Sequence, residues 1–182
     1  MVESVGRVFV AIGLPAEARA AVAALIGSLP LPGKPVPPEN LHLTLRFLGH
    51  IDAVSFDRLC AELDQTELPD GFRLRLHGLG AFPTAGKATV AWIEVRDEGE
   101  RLVECQGAVE DACQGAGFDP EERPFRPHVT ISRTRPPADL RHVIEETEPL
   151  GVAFRVNEIT VMRSVLGGQT ARYETLERFA LR

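Results

Sequence analysis

In the stretch LHLTLRFLG, Leu41, Leu43, Leu45 and Phe47 fall on one parity and His42, Thr44 and Arg46 on the other. That is the period of two of a half-buried strand, whose successive side chains point to opposite faces. HVTISR repeats it, with Val129 and Ile131 on the apolar parity and His128, Thr130 and Ser132 on the polar one. RVFVAIGL, FRLRLHGLGAF, ATVAWIEV, GVAFRVNEITVMRSVL and ARYETLERFAL read as further strand material, the last two forming a hairpin around GGQT. AEARAAVAALIGSL, AVSFDRLCAELDQT, EGERLVECQGAVEDACQGAG and PPADLRHVIEET carry helical periodicity, closed by prolines or glycines. Strands and helices mix without strict βα alternation, which predicts an α+β class with mostly antiparallel sheets.

The 182 residues predict one domain, 1–182, with a core large enough to need no staples. Composition, 44% hydrophobic and 25% charged, is that of a soluble globular protein, and no apolar run is long enough to span a bilayer. VFVAIGL near the start reads as a first strand and not as a leader, so a cytoplasmic protein is expected. Cys60, Cys105 and Cys113 are odd in number, lack paired CxxC spacing and sit in helical segments, so they are expected to be reduced thiols. A net charge of −6 argues against coating long nucleic acid, a mode that needs a broad basic surface. It leaves room for a small basic pocket, and Arg46, Arg123, Arg126, Arg133 and Arg135 gather near the two His-x-Thr stretches.

The order helix, proline-rich turn, strand with His-x-Thr occurs twice, in PPENLHLTLRFLG and RPFRPHVTISR, with the histidines 128 − 42 = 86 residues apart. An internal duplication is implied. If the two strands share a cleft, two imidazoles face one another with two threonine hydroxyls alongside. Imidazole titrates near neutrality, so one ring can take a proton while the other gives one, as displacement at phosphorus with an alkoxide leaving group requires. The threonines can donate to non-bridging oxygens and a nearby guanidinium can offset their charge. Neither motif has Asp, Glu or Cys on its histidine face to complete a metal site, and neither a GxSxG elbow nor a Walker-type loop occurs. His77 and His142 read as solvated.

With both motifs in view, the chain resembles the two-histidine phosphoesterase superfamily, and within it the RNA 2′,3′-cyclic phosphodiesterases, also called 2′-5′ RNA ligases. The likeness runs nearly end to end, through RVFVAIGLP, VPPENLHLTLRFLG, LRLHGLGAFP, GFDPEERPFRPHVTISR and the closing MRSVL and ARYETLERFAL. The resemblance implies two pseudo-symmetric lobes with antiparallel sheets flanked by helices, and a cleft where the motifs meet. It implies hydrolysis of a terminal RNA 2′,3′-cyclic phosphate to a 2′-phosphomonoester without metal or other cofactor, His128 acting as base and His42 as acid. Thr44 and Thr130 would hold phosphate oxygens, and joining of RNA ends through a 2′-5′ bond would be the reverse reaction. Arg133 matches the arginine that follows the second motif in this family and would bind substrate. On a regular strand it would face away from His128, so it reaches the cleft only if the strand ends or bulges near Ser132. Phe9, Phe47, Phe82 and Phe125 are candidates to stack on a base. Expected partners are RNA ends or small cyclic-phosphate nucleotides, with no membrane, and the protein is expected to be a monomer. A module that binds such ends without turning them over is the alternative from a different class.

Overall fold

The computed structural model describes residues 3–167 and 170–182. Its first half comprises β1 (Ser4–Gly13), α1 (Ala16–Ser28), the two-residue β2 (Lys34–Pro35), β3 (His42–Asp52), α2 (Ala53–Gln65) and β4 (Phe72–Phe82). Then follow β5 (Ala88–Asp97), α3 (Arg101–Gly115), β6 (His128–Ala138), α4 (Arg141–Glu146), β7 (Ala153–Val156), β8 (Glu158–Gly167) and β9 (Thr170–Ala180). The α+β expectation holds, with two local differences. GVAFRVNEITVMRSVL breaks at Asn157, because its buried apolar positions change parity from Phe154 and Val156 to Ile159 and Val161. The break sends β7 to β4 and β8 to β1, in opposite halves of the sheet. Helix α4 starts at Arg141 because Pro136–Ala138 still belong to β6. The final hairpin pairs β8 with β9, while Gly168 and Gln169 of its turn lie outside the described residues.

The hydrogen-bonded order is β7-β4-β5-β6-β3-β1-β8-β9, antiparallel throughout, with β2 added to β6. Four strands lie on each side of the β3–β6 seam, as two pseudo-symmetric lobes require. The halves nonetheless form one continuous sheet, joined where Leu43 pairs with Val129. Leu43, Leu45, Val129 and Ile131 turn into the core, to which α2 and α3 contribute Leu59, Leu63, Leu102, Cys105 and Val109. With their apolar sides buried there, the two seam strands leave their polar sides facing outward together. No helix among the described residues is long and apolar enough to cross a membrane.

Each seam strand carries one extra residue at the same place. Against β1, Val10 pairs with Arg46 and Ala11 with Thr44, so Leu45 is bulged out of register. Against β5, Ala91 pairs with Ser132 and Trp92 with Thr130, so Ile131 is bulged. A bulge puts two residues opposite one and reverses the parity beyond it. Arg46 and Ser132 therefore turn inward, while Phe47 and Arg133 join the histidine face. This corrects the simple alternation for LHLTLRFLG: Arg46 is 9% exposed and Phe47 40%.

The two inward residues hold the loops that lead into the motifs, each taking the loop that belongs to the other strand. On β6, Ser132 Oγ donates to the carbonyls of Pro32 at 2.9 Å and Lys34 at 3.3 Å, in the loop that precedes β3. Gly33 makes the approach possible: its φ is +85°, and a Cβ there would stand 2.3 Å from the Arg133 carbonyl oxygen. On β3, Arg46 donates to the Asp119 carbonyl and, at 3.2 Å, to Glu121, both in the loop that precedes β6. Its Nε lies 2.9 Å from a Glu110 carboxylate oxygen but off the line of a hydrogen bond, so this contact is one of charge alone.

Removing one partner of a buried ion pair strands the other, which costs far more than deleting a neutral hydroxyl. Arg46→Ala is expected to lose about 3–5 kcal/mol of unfolding free energy, and Ser132→Ala about 1 kcal/mol. Urea denaturation of both variants tests the ordering, and equal midpoints would refute it.

Candidate active site

The outward sides of β3 and β6 line a cleft of about 530 Å³ that takes in His42, Thr44, His128, Thr130 and Arg133. All five residues singled out in the sequence thus meet in one place. Arg133 reaches it by the bulge at Ile131, the condition its parity set. Arg46, by contrast, is withdrawn into its ion pairs, and Arg123 pairs with Glu121 at 2.8 Å.

Both rings are fixed in the same way. His42 Nδ1 lies 2.6 Å from the carbonyl oxygen of Asn40, and His128 Nδ1 lies 2.7 Å from that of Arg126. A carbonyl can only accept, so Nδ1 carries the hydrogen in each ring and Nε2 is the nitrogen left for chemistry. His42 Nε2 lies 3.1 Å from Thr44 Oγ1, whose hydroxyl donates to it while the ring is neutral. Aromatic rings hold the imidazoles from the sides. Phe9 and Tyr173 stand 4.9 and 5.1 Å from His42, and Phe82 and Trp92 stand 5.1 and 6.0 Å from His128, centroid to centroid. Asn40 is itself clamped, donating to Ala171 O at 2.7 Å and accepting from Tyr173 N at 3.3 Å, which ties β9 to the first motif.

Burial pushes the pKa of both histidines below the usual value. The backbone carbonyl at Nδ1 opposes this in each, and the positive charge of Arg133 adds to the lowering in both. His128 itself lowers His42 further, so protonating one ring discourages the other. The empty cleft therefore favours two neutral rings near neutral pH, and an anion placed between them would restore a proton to one.

Among the described residues, no Asp, Glu or Cys lines this cleft and no group of three or more metal-binding side chains occurs. The donor set offers two imidazoles and no third ligand. Cys105 and Cys113 are buried free thiols, pushed up to about 12 by burial, which makes them poor nucleophiles. His77 is half-buried beside Glu94 and Arg96, away from the cleft.

Of the four phenylalanines, Phe9 and Phe47 line the cleft; Phe82 braces His128 and Phe125 packs on the core nearby. Several cleft residues carried no signal that marked them in the sequence, Arg7, Asn40 and Tyr173 among them. Tyr173 is the chain's single tyrosine, and it arrives on β9, three strands away from β3 in the sheet. Parity within its own segment says nothing of that neighbour.

Comparison with known proteins agrees with this fold. A family model described as the 2′-5′ RNA ligase superfamily matches residues 14–168. The RNA 2′,3′-cyclic phosphodiesterase of Thermus thermophilus is 37% identical over 190 aligned positions, covering 97% of this chain and 90% of that protein. The Escherichia coli protein of the same name is 30% identical over 178, covering 96% of each. The crystal structure of Escherichia coli LigT complexed with 3′-AMP superposes with a TM-score of 0.78 at 30% identity, over 97% of this chain and 98% of that one. With that extent of agreement, this chain belongs to the 2′-5′ RNA ligase superfamily.

Proposed function

We propose that the protein is an RNA 2′,3′-cyclic phosphodiesterase that opens a terminal cyclic phosphate to a 2′-phosphomonoester, using two histidines and no metal. The observation that carries this reading is the pairing of two imidazoles, both tied at Nδ1 to a backbone carbonyl so that Nε2 is the nitrogen left for chemistry, in one cleft without a carboxylate among the described residues. Relatives named for this activity support it.

In the proposed reaction His128 Nε2 takes a proton from water as the water oxygen attacks phosphorus. The bond from phosphorus to O3′ breaks, and His42, protonated at Nε2, gives its proton to the departing O3′. The phosphate stays on O2′ with one added oxygen, and one proton has passed from the water to His128 and another from His42 to the ribose. Thr44 and Thr130 donate to the non-bridging oxygens, and Arg133 offsets the charge that builds there. With a 5′-hydroxyl in place of water, the same geometry yields a 2′-5′ bond, and the cleavage of that bond is its reverse.

A short RNA ending in a 2′,3′-cyclic phosphate, incubated with chelator present, is expected to give the 2′-phosphate. A 3′-phosphate product, or loss of activity to the chelator, would overturn the scheme. His42→Ala and His128→Ala are each expected to lose about 10²–10⁴ in kcat while remaining folded by circular dichroism. A single variant with near-parental rate would show that the rings do not act as a pair.

The pH dependence follows from the two lowered pKa values. Above both, the rings are neutral and no acid is available; below both, no base is. The profile of kcat/KM is therefore a bell with its maximum below 6.5, the ordinary histidine value. Removing the Arg133 charge favours the protonated forms, so Arg133→Gln is expected to move both limbs to higher pH. Unmoved limbs in that variant would show that the guanidinium does not reach the rings.

A further inference from the structure

The cleft does not end at the histidines. A second hollow of about 500 Å³ adjoins it and shares its wall at Val36, Asn40, Arg133, Arg135 and Tyr173. Lys34 closes the far side, on β2, with its Cα in register with that of Arg133. Among the described residues no Asp or Glu lines either hollow, in a chain with 26 acidic residues and a net charge of −6. Lys34, Arg133 and Arg135 have no carboxylate partner among the described residues, whereas Arg46, Arg123, Arg141, Arg163 and Arg178 are all paired. Three free cations along an acid-free groove hold a strong positive field there.

The spacing of these charges matters more than their number. Arg133 and Arg135 are both exposed on the same side of β6, so their Cα atoms are about 6–7 Å apart along the strand. Arg133 is close enough to both histidines to shift their protonation. Arg135 follows two residues further along β6, Lys34 stands level with Arg133 on β2, and both line the second hollow. In an RNA end, one ribose separates the cyclic phosphate on O2′ and O3′ from the next phosphate on O5′. A groove that fixes the first phosphate between the rings therefore offers the second the adjoining hollow, which Arg135 and Lys34 both line.

The internal duplication supplies a control within the chain. Residues 86 positions before Arg133 and Arg135 are Phe47 and Gly49, by subtraction, so the equivalent stretch of β3 is aromatic and uncharged. Beside it stands Arg7, whose guanidinium lies 5.3 Å from the centre of the Phe47 ring. The backbone is nearly symmetric about the seam and the charge is not. A ligand carrying one phosphate needs no such bias, whereas a chain with a second phosphate on one side does.

Resting on the proposed hydrolysis, we propose that Arg135 and Lys34 form a binding site for the phosphate on O5′ of the terminal nucleotide. The preferred substrates are then ends that carry this second phosphate, as any oligonucleotide does, and not a nucleoside cyclic phosphate alone. Both side chains are exposed surface groups, so their replacement leaves folding intact.

The test compares adenosine 2′,3′-cyclic phosphate with the same compound bearing a 5′-phosphate, which adds the second phosphate and no second base. The parental protein is expected to show at least tenfold higher kcat/KM for the phosphorylated compound. The double variant Lys34→Gln, Arg135→Gln is expected to lose that preference, its kcat/KM falling at least tenfold more on the phosphorylated compound than on the unphosphorylated one. Equal rates on the two compounds in the parental protein, or equal losses on both in the variant, would overturn the site and leave the hydrolysis standing. Hydrolysis of neither compound, nor of the cyclic-phosphate RNA, would overturn the proposed function itself.

Discussion

Arg46 and Ser132 point away from the chemistry, and the geometry of the cleft depends on them. Each sits just past a bulge in one seam strand and takes hold of the loop that enters the other. Those loops end in Asn40 and Arg126, whose carbonyls fix the Nδ1 atoms of His42 and His128. The orientation of each ring is thus secured by a residue on the opposite strand. Leu43 and Val129 form the backbone pair that joins the strands, a narrow connection for two halves of a sheet. The crossed anchors add side-chain ties where backbone ties are few, so motion of one half against the other would disturb both rings together.

The same bulges set the composition of the cleft. An unbroken strand would have placed Arg46 and Ser132 beside the threonines and turned Phe47 and Arg133 inward. One added residue in each strand exchanges them, so the buried side receives the groups that can satisfy loop carbonyls and the cleft receives a ring and a cation. Because the exchange happens at equivalent positions, the backbone keeps its pseudo-symmetry while β3 supplies a ring, Phe47, where β6 supplies a cation, Arg133. Two rings in like environments suit a reaction that needs a base and an acid of similar strength. The asymmetry around them, with His42 deeper between Phe9 and Tyr173 and His128 beside Phe82 and Trp92, is what distinguishes their surroundings.

Period-two alternation made both motif strands, their polar faces and the pairing of His42 with His128 legible, because parity is a local property that burial of one face enforces. It failed where a bulge shifts phase. TLR and TIS have no glycine or proline to announce an extra residue, and the bulge at Leu45 only shows in register with β1. For Arg133 the parity conflict was itself the signal, since a residue expected at the site but on the wrong face requires a phase change between. Arg46 was legible as a cation within the first motif strand, but its partners Glu110 and Glu121 lie on a helix and a loop more than sixty residues on. Tyr173 and Asn40 meet through the order of strands in the sheet, a non-local fact that no window of sequence contains.

Low net charge and a basic cleft are compatible because the acidic residues are engaged elsewhere. Glu110 and Glu121 neutralise the buried Arg46, Glu174 holds Arg163 and Arg172, and Asp139 holds Arg141. Pairing removes those arginines from the field as effectively as it removes the carboxylates, so the field around the cleft is set by the cations there that are left without partners. Among these, Arg133, Arg135 and Lys34 share one groove. No carboxylate among the groove's described residues neutralises them, and the charge of Arg133, the one beside the rings, disfavours imidazolium at both histidines. In the proposed reaction an anion between the rings would offset that positive field, so the proton that the acid gives would be gained together with the substrate, which would couple the protonation of the site to its occupancy.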